Sequence, residues 1–345
     1  IGAVVTVIAL VLALVSASVK KNQDYDRESS ILLAKNVTQL LDREITARFE
    51  KINAALQSIA YIHQLNRGKA RGTLDFPEYI REHKRFLPNV SIIGVTDSTG
   101  NLLFSSEAPT GTVINVSDRD YFIQARDGRD PELIATGPIQ DRINGIWSIV
   151  LARRITTADG GFGGVIFATL ATTHFNDPLS SINLGTQGAA TIRAFDLALV
   201  HRYPDTRGAV GSRSVSKELS EHLQASPIEG AYVAKTQLDG IERINVYRKL
   251  GPYPFYIIVG LATDDLRKTS RTEVLILLGL GALAVIAALF ATWLAYRTYR
   301  QQADDLDRWQ RMDAELNRLL AERTKLNEEL VLRANDAESA NRAKS

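Results

Sequence analysis

Ile146–Leu170, IWSIVLARRITTADGGFGGVIFATL, reads as two strands and the turn between them. Ile146–Ile155 and Phe162–Leu170 are runs of β-branched and apolar residues, and Asp159-Gly160-Gly161 has the composition of a tight turn. Side chains alternate across a strand, so Trp147, Ile149, Leu151 and Arg153 share one face, and Ser148, Val150, Ala152 and Arg154 the other. Alternation does not say which of these faces borders a site.

Working outward, Val90–Asp97, the turn Ser98-Thr99-Gly100 and Asn101–Ser105 form a hairpin, and Leu133–Thr136 adds another strand. Ser117 ahead of Asp118-Arg119-Asp120-Tyr121-Phe122 reads as an N-cap with acidic first-turn residues, so a short helix is expected there. A similar order then returns. Ala189–Phe195, Asp196 and Leu197–Tyr203 repeat the strand, Asp and strand pattern, Ser214–Gln224 is helical, and Ala231–Leu238, Glu242–Leu250 and Phe255–Ala262 complete a second sheet. This is a structural repeat at about a hundred residues, with a boundary at Gly185–Gly188. Each unit is an α+β layer, one antiparallel sheet with helices on a face.

Asp24 to about Asn66 has no Gly or Pro, and Ile31, Ala34, Val37, Leu41, Ile45, Phe49, Ile52, Leu56 and Ile59 recur at three- and four-residue steps. That spacing predicts a long amphipathic stalk helix, ended by the loop Gly68–Pro77. Two apolar runs bracket the whole, Ile1–Val19 and Val274–Tyr296, each long enough to cross a hydrocarbon core. A cleaved signal peptide is the alternative for the first, but it lacks a clear small-residue cleavage site. Lys20, Lys21, Arg267, Lys268 and Arg271 on the loop side face Arg297, Arg300, Arg308 and Arg311 on the tail side, so charge leaves orientation open.

The chain has 345 residues, a formal net charge of +2 and no cysteine. A near-neutral balance gives a nucleic-acid partner no electrostatic support, and the missing thiols exclude disulfides and zinc thiolates. His63, His83, His174, His201 and His222 are scattered without metal spacing, and Asp304, Asp305 and Asp307 lack the glycine and distal glutamate of a calcium loop. Gly160-Gly161 and Gly163-Gly164 are followed by neither a helix start nor a lysine, so they do not read as a phosphate cradle. No Ser/His/Asp grouping suggests a hydrolase, and no catalytic residue, metal or cofactor is assigned to this chain.

Behind the second apolar run no Gly follows Gly281 and no Pro follows Pro254. Trp309, Met312, Leu316, Leu319, Arg323, Leu326, Leu330, Arg333, Ala337 and Ala340 step alternately by three and four. This is a heptad seam with Trp309, Leu316, Arg323, Leu330 and Ala337 at position a, and it predicts a parallel coiled coil. Arg323 and Arg333 read either as a phase error in the register or as a weak contact that can shift between two packings. Ala284, Ala288 and Thr292, with Ala287, Ala291 and Ala295, put small residues at four-residue steps in the second run, a spacing that permits close helix approach.

The series Ser117-Asp118-Arg119-Asp120-Tyr121-Phe122, Thr136-Gly137-Pro138-Ile139, Gly145-Ile146-Trp147-Ser148-Ile149, Ala152-Arg153-Arg154-Ile155 and Gly163-Gly164-Val165-Ile166 resembles the double Cache (tandem PAS-like) sensor of bacterial receptors. The form it is most similar to is shared by diguanylate cyclases and hybrid histidine kinases, and the match covers roughly Asp24 to Asp265. The resemblance implies a two-pass inner-membrane protein with its sensor in the periplasm and its C-terminus in the cytoplasm. The divisions are then a transmembrane helix at 1–19, a periplasmic stalk at 20–66 and a membrane-distal Cache module at 67–186. A membrane-proximal module occupies 187–265, ahead of the second span with its lead-in at 266–296 and a signalling coiled coil at 297–345.

In amino-acid-binding relatives an arginine with neighbouring aromatics at the start of the short helix holds the ligand carboxylate, and Arg119, Tyr121 and Phe122 occupy those positions. A guanidinium suits a carboxylate because it donates two parallel hydrogen bonds. Arg119 pairing with Asp118 or Asp120 on the surface is the plainer reading. Those relatives bind the ligand ammonium with an aspartate where this chain has Thr169, so the resemblance implies an organic acid or another small anion rather than an α-amino acid. Thr136, Asp141, Arg142 and Trp147 lie on strands that would wall the pocket, with Trp147 equally readable as core.

Ala337–Ser345 resembles the helix leading into the phosphoacceptor motif of histidine kinases. That implies a homodimeric sensor and transmission half whose kinase domain, with its ATP and Mg, and whose response regulator partner lie beyond Ser345. A diguanylate cyclase is the alternative output. A chemoreceptor is a third, although its usual linker unit carries a proline that this tail lacks.

Overall fold

The computed structural model describes residues 2–67, 75–107, 113–128 and 133–342. Ile1, residues 68–74 of the loop expected at Gly68–Pro77, and Ala343–Ser345 lie outside the described residues. The chain divides into two compact units, residues 21–272 and the pair of segments 1–20 and 273–345.

In residues 21–272, helix α1 (Gly2–Arg67) supplies the spine. Its predicted stripe is the buried one: Ala34, Leu41, Ile45, Phe49, Ile52, Leu56 and Ile59 are all in the core. After α2 (Phe76–Arg85), β1 (Ile92–Thr96) and β2 (Leu102–Ser105) make the expected hairpin. Asp97 closes its turn by accepting hydrogen bonds from the amides of Thr99 and Asn101. Then come α3 (Asp120–Asp127), β3 (Ile134–Gln140), β4 (Trp147–Thr156) and β5 (Phe162–Ala171). A 3₁₀ turn (Thr172–Phe175) and α4 (Asn176–Ser180) lead to the second sheet. That sheet comprises β6 (Ala189–Ala194), β7 (Leu199–Tyr203), β8 (Glu229–Lys235), β9 (Glu242–Lys249) and β10 (Phe255–Ala262), with α5 (Lys217–Ala225) between β7 and β8.

The two sheets have one topology. Their strand orders are β2-β1-β5-β4-β3 and β7-β6-β10-β9-β8, with every pairing antiparallel. One face of each sheet packs on the α1 stripe, through Ile93, Ile149, Leu151 and Ile166 in the first and Ile192, Val246, Ile257 and Val259 in the second. Phe49 of α1 sits at the junction, with ring centroids 6.4 Å from Phe175, 4.9 Å from Tyr253 and 6.1 Å from Phe255. The opposite face of the first sheet carries α3 over Val150, Ala152, Val165 and Phe167, and that of the second carries α5 over Tyr232, Tyr247 and Ile258.

Two expectations need correction. Ser117 is not the N-cap of α3: its hydroxyl bonds to Asn115 Oδ1, and the cap is Arg119, whose side chain makes no capping bond. The loop expected at Gly68–Pro77 does not reach Pro77, because α2 starts at Phe76; Asp75 caps it by accepting the Glu78 amide, and it buries Phe76 and Ile80.

The helix α6 (Thr263–Arg342) starts in residues 21–272, and in the other unit it carries the second apolar run and continues through the tail. Among the described residues one helix, within Leu275–Asn335, is long and apolar enough to cross a membrane, with a mean hydropathy of 2.6 in its most apolar window. A Cβ on Gly281 would lie 3.0 Å from Val11 Cγ1, so here the two apolar runs approach backbone to side chain. Trp309, Met312, Leu316, Leu319, Leu326 and Leu330 are exposed along one chain, as is Arg323.

Candidate functional site

A short turn from Val116 to Arg119 delivers the chain to α3, and it positions the first polar group of a cavity on the outer face of the first sheet. The carbonyl of Val116 accepts the Arg119 amide at 3.0 Å, and Arg119 takes an extended backbone before the helix begins. Its guanidinium donates to the Gln140 carbonyl at the end of β3, 3.0 Å away. A guanidinium has five N–H groups, so this bond leaves capacity for a bidentate partner.

Arg119, Tyr121, Asp141, Arg142 and Thr169 line one cavity of about 20 Å³, walled on its apolar side by Leu102, Ile139, Val150 and Phe167 among others. Tyr121 packs on Phe167, with ring centroids 5.4 Å apart. Burial, and after it the Asp141 carboxylate, push the Tyr121 phenol above its ordinary value, so it stays protonated and able to donate. Asp141 is buried and uses Oδ1 to accept the Ile143 amide at 2.7 Å. Thr169, 2% exposed, has a buried Oγ1 without a hydrogen-bond partner. A buried hydroxyl left unpaired costs about 1–3 kcal/mol, so this atom is poised for a partner in the cavity.

Arg142 closes the rim. It donates to both oxygens of Asp118, at 2.7 and 2.5 Å, and to the Asn115 carbonyl at 2.6 Å. Those bonds hold the Asp118 carboxyl below the usual carboxylate range. Asp118 therefore pairs with Arg142, and Arg119 is left to the Gln140 carbonyl.

Three of the sequence candidates lie elsewhere. Phe122, on α3, is buried edge-on to Phe162, with ring centroids 5.3 Å apart. Thr136 has a buried, unpartnered Oγ1 but does not line the cavity. Trp147 is on the opposite face, where its ring meets Gly211 of the second module: a Cβ there would lie 3.1 Å from the indole. Trp147 is thus placed against the neighbouring module and not on the cavity, because the cavity occupies the Ser148–Val150–Ala152 side of β4. The apolar wall escapes a reading of the sequence. Its only signal there is alternation, which puts Phe167 on the same face as Thr169.

No protein-family model matches the chain, and no curated protein matches it. Solved structures do. The extracellular domain of a proposed histidine kinase, rpHK1S-Z16, is 28% identical with a TM-score of 0.62, covering 69% of this chain and 96% of that one. The extracellular domain of another proposed histidine kinase, mmHK1S-Z3, is 13% identical with a TM-score of 0.54, over 72% of this chain and 98% of that one. The ligand-binding domain of the Pseudomonas fluorescens chemoreceptor CtaA, solved with L-isoleucine, is 17% identical with a TM-score of 0.52, over 72% and 98%. The two-sheet unit therefore has the fold of the extracellular domains of histidine kinases and of chemoreceptor ligand-binding domains.

Proposed function

We propose that this chain is the sensing and transmission part of a two-pass, homodimeric sensor histidine kinase, and that its first module binds a small ligand through a carboxylate. The observation that carries the ligand assignment is the convergence of Arg119, Tyr121 and Thr169 on one cavity. Arg119 would hold the carboxylate, with the Tyr121 phenol and Thr169 hydroxyl donating to it or to a neighbouring oxygen. A cavity of about 20 Å³ has room for roughly one water, so the ligand must be admitted by an outward movement of the Arg142–Asp118 rim. Binding then favours the open rim over the closed one, and a ligand shifts such an equilibrium only by its differential affinity for the two states. The kinase output is supported by the likeness to rpHK1S-Z16 and by the tail, whose apolar seam is exposed along one chain and suits a second copy.

Titration of the purified chain with organic acids and amino acids tests this. Arg119→Ala should lose about 2–4 kcal/mol of binding, the cost of removing a charged hydrogen-bond partner. Equal affinity in wild type and variant would overturn the assignment.

A second reading comes from Asp141. It places a carboxylate in the same cavity as Arg119, so an α-amino acid could set its ammonium on Asp141 in spite of Thr169. Asp141→Asn separates the two: it weakens amino-acid binding and leaves or improves the binding of a plain organic acid.

A further inference from the structure

The outer face of the second sheet buries three guanidinium groups against one carboxylate. Arg193 and Arg202 are each 4% exposed and Arg243 is 2% exposed. The register puts all three on one face: Arg202 pairs with Thr191, two residues from Arg193, and Arg243 pairs with Ala262, four residues from Ile258, itself paired with Thr191. Asp239 serves both Arg202 and Arg243, accepting from the latter at 2.9 and 2.7 Å. Arg202 Nε is buried without a partner. Arg193 makes no ion pair among the described residues. Its guanidinium donates only to backbone carbonyls, those of Leu197, Ser212 and Ser214, at 2.5, 3.1 and 3.0 Å. The nearby Asp196 is taken by Arg213.

Neutral carbonyls satisfy the N–H groups of Arg193 but not its charge, and a buried, unbalanced cation is costly. Burial lowers the Arg193 guanidinium to about 10, with Tyr232 opposing and Arg202 adding to the shift. Arg193 also borders a cavity of about 40 Å³, together with Ser214, Ser216, Tyr232, Gln237 and Asn245. This cavity occupies the same part of its module as the one at Arg119, between the outer face of the sheet and the start of the short helix, here α5. At about 10–15 Å³ per water, it has room for about three water-sized groups.

We propose that the second module holds a binding site of its own for an acetate-sized carboxylate, with Arg193 as the cation and Tyr232 and Asn245 as neutral polar partners. The site is independent of the one at Arg119 and stands whether or not that one binds.

The test uses the purified chain in detergent carrying Arg119→Ala, with carbon-13 acetate as the probe and chloride and inorganic phosphate as controls at equal ionic strength. Saturation-transfer NMR and the thermal midpoint are read together. Acetate should bind and raise the midpoint while the controls do not. Arg193→Gln should weaken acetate at least about tenfold. Ala234→Leu, which fills the cavity wall and leaves Arg193 with its carbonyls, should abolish binding; it decides the matter if Arg193→Gln fails to fold. No acetate binding, equal shifts from chloride and phosphate, or binding unchanged by Ala234→Leu would overturn the proposal.

Discussion

Gly94 shows how a residue with no side chain can set the shape of a cavity. A Cβ on Gly94 would lie 2.3 Å from the tip of the Phe167 ring, and Phe167 walls the cavity of Arg119 and Thr169. Gly94→Ala therefore pushes that ring outward. Ligand affinity should fall in titrations while circular dichroism still reports a folded domain. His201 gives a second residue-scale expectation. It is buried with Nε2 unpartnered, and burial lowers its pKa, with Asp205 opposing. The unfolded chain then binds a proton more readily than the folded one, so this contribution to stability is complete above about pH 6.5 and is lost as pH falls toward the depressed folded value. Thermal midpoints measured from pH 7.5 to 5 should drop, and His201→Gln should flatten the drop. At this scale the sequence is partly legible. Arg119, Tyr121 and Thr169 can be picked out because each stands at a motif position. Trp147 misleads because alternation assigns it a face without saying which face is hollow, and Arg193 goes unseen because burial of a charged strand residue leaves no periodic trace.

Regular spacing makes the elements readable. The α1 stripe and the strands of both sheets follow three-to-four and two-residue periods, so their existence is visible and only their ends move. The helix α2 escapes because its start, at Phe76, lies inside the loop expected at Gly68–Pro77. Ser117 misleads because its hydroxyl is claimed by Asn115 before any helix begins. In α6 the seam can be checked directly. The chain has no cysteine, so single replacements report alone. Cysteines at Leu316, Leu319 or Leu326 should cross-link two chains in membranes far more efficiently than cysteines at Asn317 or Lys325, and equal yields at all five would dismiss the parallel coiled coil. Inserting one residue near Ala303 rotates the helix beyond it by about 100°, whereas seven nearly restore the seam. In a receptor carrying its output domain, the single insertion should lock or abolish ligand-controlled autophosphorylation and the seven-residue insertion should largely preserve it.

At the scale of the molecule, one helix serves two modules. Lys35 of α1 pairs with Glu229 of β8 at 2.7 Å, Asp42 with Arg248 of β9 at 3.1 Å, and Glu229 also takes Arg248. Phe49 is shared by the turn after the first sheet and by the second. The two modules should therefore unfold together. Phe49→Ala should cost about 3–5 kcal/mol and lower a single calorimetric transition rather than split it. The repeat is readable in the order of strands, but the sharing of α1 is not, since a stripe of apolar residues does not name the surfaces it meets. Between sheet and tail there is no linker at all: β10 ends at Ala262 and α6 begins at Thr263. No slack loop separates the last strand from the first turn of α6, whose Thr263 hydroxyl is tied to Glu242 of the neighbouring strand at 3.1 Å. Most loops of this domain could be lengthened at little cost, whereas one residue inserted after Ala262 would turn the helix that follows by about 100°.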